Sequence, residues 1–116
     1  DELLKEIVEY FYEHEKIISA VCHGPAGLIL AKTKDGESIL KDKKVTCFTN
    51  KEEHIVKLDE EVPFLLETKI RELGARFEDA APWAEHVCVC MEGRLITGQN
   101  PQSALLLAEK VVESLS

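Results

Sequence analysis

The chain has 116 residues, 45% hydrophobic and 6% aromatic, with a net charge of −8 at pH 7. That is one domain or part of one, of ordinary globular composition. The acidic balance and the lack of a Lys/Arg block argue against a nucleic-acid surface, since phosphate binding needs a basic patch, and no signal peptide or spanning run is visible, so a cytoplasmic chain without membrane contact is expected.

In chain order, residues 2 to 15 are predicted as an amphipathic helix, with Leu3, Leu4, Ile7, Val8 and Phe11 at helical spacing. An apolar strand over residues 17 to 21 follows, then a short apolar helix over 25 to 31. Residues 32 to 44 read as a polar connection with a turn at Asp35-Gly36. Residues 45 to 48 are β-branched and aromatic and read as a strand. Thr49-Asn50 can cap a charged helix over 51 to 58. A helix from about Pro63 ends at Gly74, a C-terminal glycine. A short strand over 75 to 78 and a loop with Pro82 and Trp83 come next. Residues 86 to 91 and 94 to 97 read as a hairpin turning at Glu92-Gly93, and an apolar helix over 102 to 115 closes the chain. Helices alternating with short apolar strands indicate an α/β fold with a mainly parallel sheet. The strands over 17 to 21, 45 to 48 and 86 to 91 are expected in one sheet, with helices on both faces.

The chemistry gathers at Ala20-Val21-Cys22-His23-Gly24-Pro25. An apolar strand stops at a cysteine flanked by small residues, and a proline can start the next helix. Small residue, any, Cys, any, Gly has the spacing of a nucleophile elbow, with cysteine in place of serine. Such a turn sets the thiol at a helix N-terminus, where the dipole favours thiolate. A buried structural cysteine at a strand end is the competing reading. The other three cysteines, Cys47, Cys88 and Cys90, lie in apolar runs and are expected to be shielded, so Cys22 should alkylate first. No Cys-x-x-Cys pair and no zinc-like spacing with histidine occurs, so no metal site is expected.

Val21-Cys22-His23-Gly24-Pro25-Ala26 resembles the active-site stretch of the ThiJ/PfpI superfamily, the class I glutamine-amidotransferase-like proteins. Two further blocks resemble that family in order. Lys43 to Glu53 is similar to its strand ending in Phe-Ser/Thr-Asn/Asp and an acidic residue, and Gly93 to Pro101 to its stretch before the last helix. The resemblance implies a flavodoxin-like three-layer α/β/α sandwich. It also implies that residues 1 to 116 are the C-terminal portion of a single domain whose N-terminal part is missing. The missing half would supply the first strands, a glycine-rich stretch and an acidic residue that hydrogen-bonds the thiol. No late His-x-Glu pair occurs, so glutamine hydrolysis is not expected.

The branch implied is that of glyoxalase III enzymes and heat-shock chaperone relatives. Carried over residue by residue, it makes Cys22, His23 and Glu53 the catalytic set. On the residues alone His23 could equally be an exposed first-turn residue, and Glu52 or Glu53 an ordinary solvated charge; the family spacing selects Glu53. Gly24, Trp83 and Asn100 are the candidate pocket residues, although Trp83 could as well cover the core. Cys22, Glu53 and Asn100 all follow predicted strands, and ligands of open α/β folds bind at strand carboxyl ends. The implied activity is a glutathione-independent glyoxalase that converts methylglyoxal or glyoxal, small reactive aldehydes, to a 2-hydroxy acid without cofactor. A cysteine hydrolase or peptidase, and a stress chaperone or redox sensor, are the alternatives. A homodimer is expected, and so is an open sheet edge and no turnover from these residues alone.

Overall fold

The computed structural model describes residues 2–57 and 61–116. Helix α1, Glu2–Glu13, leads into strand β1, Ile18–Val21, and a short 3-10 turn, Gly24–Leu28. Strand β2 is Lys44–Val45, helix α2 is Asn50–Ile55, helix α3 is Leu66–Glu72 and strand β3 is Arg76–Phe77. Strands β4, Val87–Cys90, and β5, Leu95–Gly98, precede the closing helix α4, Ala104–Leu115.

Strands β1, β5 and β4 form a sheet in that order. β1 runs parallel to β5, with Ile18 opposite Leu95 and Val21 opposite Gly98. β4 and β5 are the expected antiparallel hairpin, with Cys88 opposite Thr97. Strict alternation along β5 sends its side chains to two faces. Leu95 joins one core cluster with Val8 of α1, Leu28, Ile39, Leu40, Val45, Leu66 and Ile70. Ile96 and Leu107 are buried outside that cluster, and Gly98 abuts Val21 and Ser103, on the side where α4 packs against β5. The architecture is α/β with helices on both faces of a mixed sheet.

Four expectations are corrected. Residues 45 to 48 do not join the sheet of β1 and β4: only Lys44–Val45 make a ladder, parallel to β3, in a separate two-stranded sheet. The reason lies in their donors. The Thr46 N–H goes to the Thr97 hydroxyl at 3.0 Å and the Phe48 N–H to the Cys22 carbonyl at 2.8 Å. The segment is buried, tied to a side chain of β5 and to the residue that follows β1 rather than into a ladder. The helix expected from Pro63 starts only at Leu66, and the apolar stretch after the elbow is a 3-10 turn that ends at Leu28, with Leu30 beyond it 56% exposed. α2 ends at Ile55, and the Leu58 end of its expected span lies outside the described residues. Gly74, with φ +87°, ends α3 as expected of a residue that must turn left-handed. Among the described residues β1 is hydrogen-bonded to a neighbouring strand on one side only. No described helix is long and apolar enough to cross a membrane.

Candidate active site

Cys22 stands at the end of β1 with φ +63°, a left-handed conformation that a non-glycine residue adopts at a cost. Backbone hydrogen bonds hold it there. Its N–H donates to the Gly98 carbonyl at 2.9 Å, and its carbonyl accepts from Phe48. β5 comes close enough for this because residue 98 is glycine: an added Cβ would stand 2.9 Å from Val21 Cγ2. The chain then reverses into the 3-10 turn, with the Ala26 N–H on the His23 carbonyl. This is the sharp, strained strand-to-turn geometry of a nucleophile elbow.

The structure brings Cys22, His23 and Glu53 together. Cys22 Sγ is 3.5 Å from His23 Nδ1, and His23 Nε2 is 3.0 Å from Glu53 Oε1. The imidazole, about half exposed, thus bridges the thiol and a carboxylate that is 1% exposed. The Phe48 ring packs against the imidazole, with the centroids 4.6 Å apart and the planes tilted by 41°. Glu53 Oε2 is buried and has no hydrogen-bond partner among the described residues. A cavity of about 130 Å³ opens beside the pair, lined by His23, Ala26, Glu53, Val62, Phe64 and Leu66.

Sequence spacing left Glu52 and Glu53 as neighbours of equal chemistry; the helix start separates them. Thr49 caps α2, accepting from the Glu52 N–H at 3.1 Å, while Glu52 Oε1 accepts from the Thr49 N–H at 3.0 Å. That reciprocal capping box satisfies two orphan donors and turns Glu52 back under the helix. One residue on, Glu53 faces His23. Glu52 is fully buried and its other oxygen accepts from the Trp83 N–H at 3.0 Å and Asn100 Nδ2 at 2.8 Å. Burial pushes its pKa up, but the hydrogen bonds from Thr49, Asn100 and Trp83 outweigh it and hold the carboxyl below its ordinary value. The Thr-x-x-Glu spacing was the available signal for this role.

The pocket residues fare differently. Asn100 is fully buried: its amide donates to Glu52 and to the Ala84 carbonyl, and its oxygen accepts from the Ser103 hydroxyl at 2.7 Å. It is a brace between loops. Gly24 borders a groove between α1 and β1 rather than the cavity beside Glu53. Trp83, at φ +66°, rests its ring 5.7 Å from Phe48, behind the imidazole's support. Phe48 itself, which the sequence reading passed over, makes the closest ring contact to His23.

The expected thiolate-favouring helix end is also corrected. Burial, together with the charges of Glu52 and Glu53, pushes the Cys22 thiol up against the opposing His23 N–H. The turn that follows is five residues of 3-10 helix, too short to sum a useful dipole. Cys47 and Cys88 are shielded as expected and their thiols pushed up by burial, but Cys90 is partly exposed. His23 is the ring nitrogen base within reach of the Cys22 thiol.

The family model of the DJ-1/PfpI family matches residues 1–114. Glyoxalase 3 of Candida albicans is 34% identical over 94% of this chain and 48% of its own length. The crystal structure of Rapid Encystment Protein 24 kDa of Francisella tularensis is 41% identical, covers 97% of this chain and 49% of its own, and matches at TM-score 0.92. A second crystal structure, 49% identical over 99% of this chain and 51% of its own, matches at TM-score 0.94. The chain spans about half the length of the relatives it matches. With a matching family model over nearly every residue and the elbow in place, the chain belongs to the DJ-1/PfpI family.

Proposed function

We propose that the whole protein carrying this chain is a glutathione-independent glyoxalase, acting on methylglyoxal or glyoxal in a reducing cytosol. The observation that carries this is the thiol–imidazole–carboxylate series, 3.5 and 3.0 Å, set on a strained elbow. The relatives named glyoxalase supply the substrate class. His23 takes the Cys22 proton, and Glu53 steadies the imidazolium. The thiolate attacks the aldehyde carbon to form a hemithioacetal. A proton then moves from that carbon to its neighbour through an enediol, which turns the hemithioacetal into a thioester and the ketone into an alcohol. Water cleaves the thioester, releasing the 2-hydroxy acid and the thiol. The sum is one dicarbonyl plus one water to one 2-hydroxy acid. The carbon-to-carbon relay is assigned to an acidic residue in the part of the fold that these residues do not contain, assisted by His23.

The test is methylglyoxal loss and lactate formation by the whole protein. Cys22→Ser should lower kcat at least about 10⁴-fold, because a nucleophile acting within a cooperating set costs nearly the whole set when removed. Turnover retained in that variant overturns the reading.

A further inference from the structure

Outside the elbow, Glu78, His86 and Cys88 place one ligand atom each within 4.8 Å of one another. The strand pattern explains two of them. His86 and Cys88 are two apart, at the entry to and within β4, and so share one face. Glu78 follows β3 of the other sheet, and its N–H is held by the Val45 carbonyl at 3.0 Å. Cys88 Sγ lies 3.7 Å from His86 Nε2 and 3.9 Å from Glu78 Oε1. Tetrahedral zinc at ordinary bond lengths sets its sulfur and nitrogen or oxygen ligands roughly 3.5–3.6 Å apart. Both separations from the sulfur are within a few tenths of an ångström of that value, and the His86 and Glu78 ligand atoms, within 4.8 Å of each other, would close toward a shared ion. Cys88 is buried, at 1% exposed, while Glu78 reaches it from the exposed side.

We propose that Glu78, His86 and Cys88 bind a zinc ion, with water in the fourth position. The donor set selects the metal class. One thiolate and one imidazole with a single carboxylate suit zinc; calcium and magnesium take oxygen sets. On binding, the Cys88 S–H bond breaks, its proton goes to solvent and an S–Zn bond forms. His86 coordinates through Nε2 with its proton on Nδ1, and Glu78 coordinates as carboxylate. The ion would join the end of β3 to β4 and so tie the two sheets, which makes zinc a stabiliser of the folded state. Nothing in this depends on the glyoxalase reading.

The spacing escaped the sequence because only His86-x-Cys88 is local, and the third ligand comes from a strand of another sheet. The test uses the whole protein in a Cys22→Ser background, titrated with Zn²⁺ and, as a spectroscopic probe, Co²⁺. One equivalent of zinc should survive dialysis, and cobalt should give a thiolate charge-transfer band that Cys88→Ser removes. Glu78→Gln, an exposed change that spares the core, should weaken zinc binding at least about 10-fold, the cost that even a group behind the ligands carries. It should also abolish a zinc-dependent rise in melting temperature. If Cys88→Ser does not fold, the same affinity comparison with Glu78→Gln and His86→Asn decides the matter. No thiolate band in the parent, a band that persists without Cys88, or unchanged affinity in Glu78→Gln overturns the proposal.

Discussion

Two regions of the molecule solve opposite problems. At the carboxyl ends of β1 and β5, polar side chains are buried almost completely: Thr49, Glu52, Thr97, Gln99, Asn100 and Ser103 are each at most 2% exposed. At the opposite extreme, α1 and the outer side of α4 leave apolar side chains in the open, with Leu3 at 64%, Ile7 at 46%, Leu105 at 70% and Val112 at 62% exposed. The polar region is tied by hydrogen bonds from three loops converging on Glu52 and Asn100. The apolar region has the periodicity of a buried face without the burial. Hydrophobic pattern marks which side of a helix is apolar; only contacts decide whether that side is covered.

The comparison predicts where the molecule is sensitive. The largest stability loss is expected from Glu52→Ala. It strands the Thr49 N–H, the Trp83 N–H and the Asn100 amide, and each buried unsatisfied donor costs about 1–3 kcal/mol. A loss of at least about 3 kcal/mol in urea unfolding is expected on that accounting. A loss under a third of that would show the network to be ornamental. The same carboxylate should shape the acid limb. Its folded pKa lies below the ordinary 4.5, so its contribution is complete above that value and is lost as pH falls through the lowered one. Glu52→Gln should therefore be less stable near neutrality and show a shallower loss on acidification.

A middling effect is expected at Gly98, where the elbow's strand and β5 touch. Gly98→Ala puts a methyl carbon 2.9 Å from Val21 Cγ2, an overpacking that costs about 1–3 kcal/mol. It should also shift the Cys22 turn, so activity should fall more than stability. Equal losses in both would leave the elbow independent of this contact. The smallest effect is expected on the open face. Leu105→Gln at 70% exposure should change unfolding stability by no more than about 0.5 kcal/mol, the range of ordinary surface changes. A destabilisation above about 1.5 kcal/mol would mean that this face is covered in solution.

The site was legible as far as its parts are local. The elbow announced itself through the order strand, small residue, Cys, His, Gly, Pro, all within one turn of chain. The hairpin over β4 and β5 and the glycine ending α3 were equally local. Glu53 was reached by family spacing, not by its chemistry, since Glu52 offers the same carboxylate one residue earlier. The position of Asn100 after a strand is visible in sequence, whereas the three partners of its side-chain amide come from 3 to 48 residues away.

The sequence by itself determined the periods: the alternation of helical and extended segments, which faces are apolar, and where the chain must turn sharply. Those follow from side-chain size, backbone freedom and spacing, which are properties of neighbours. Tertiary structure alone decided which carboxylate meets His23, that Thr46 spends its N–H on a side chain rather than a ladder, and that Glu78 stands beside His86 and Cys88. Each of those depends on which donor reaches which acceptor first once remote segments are packed, and a hydrogen bond's short range makes that a question of tenths of an ångström.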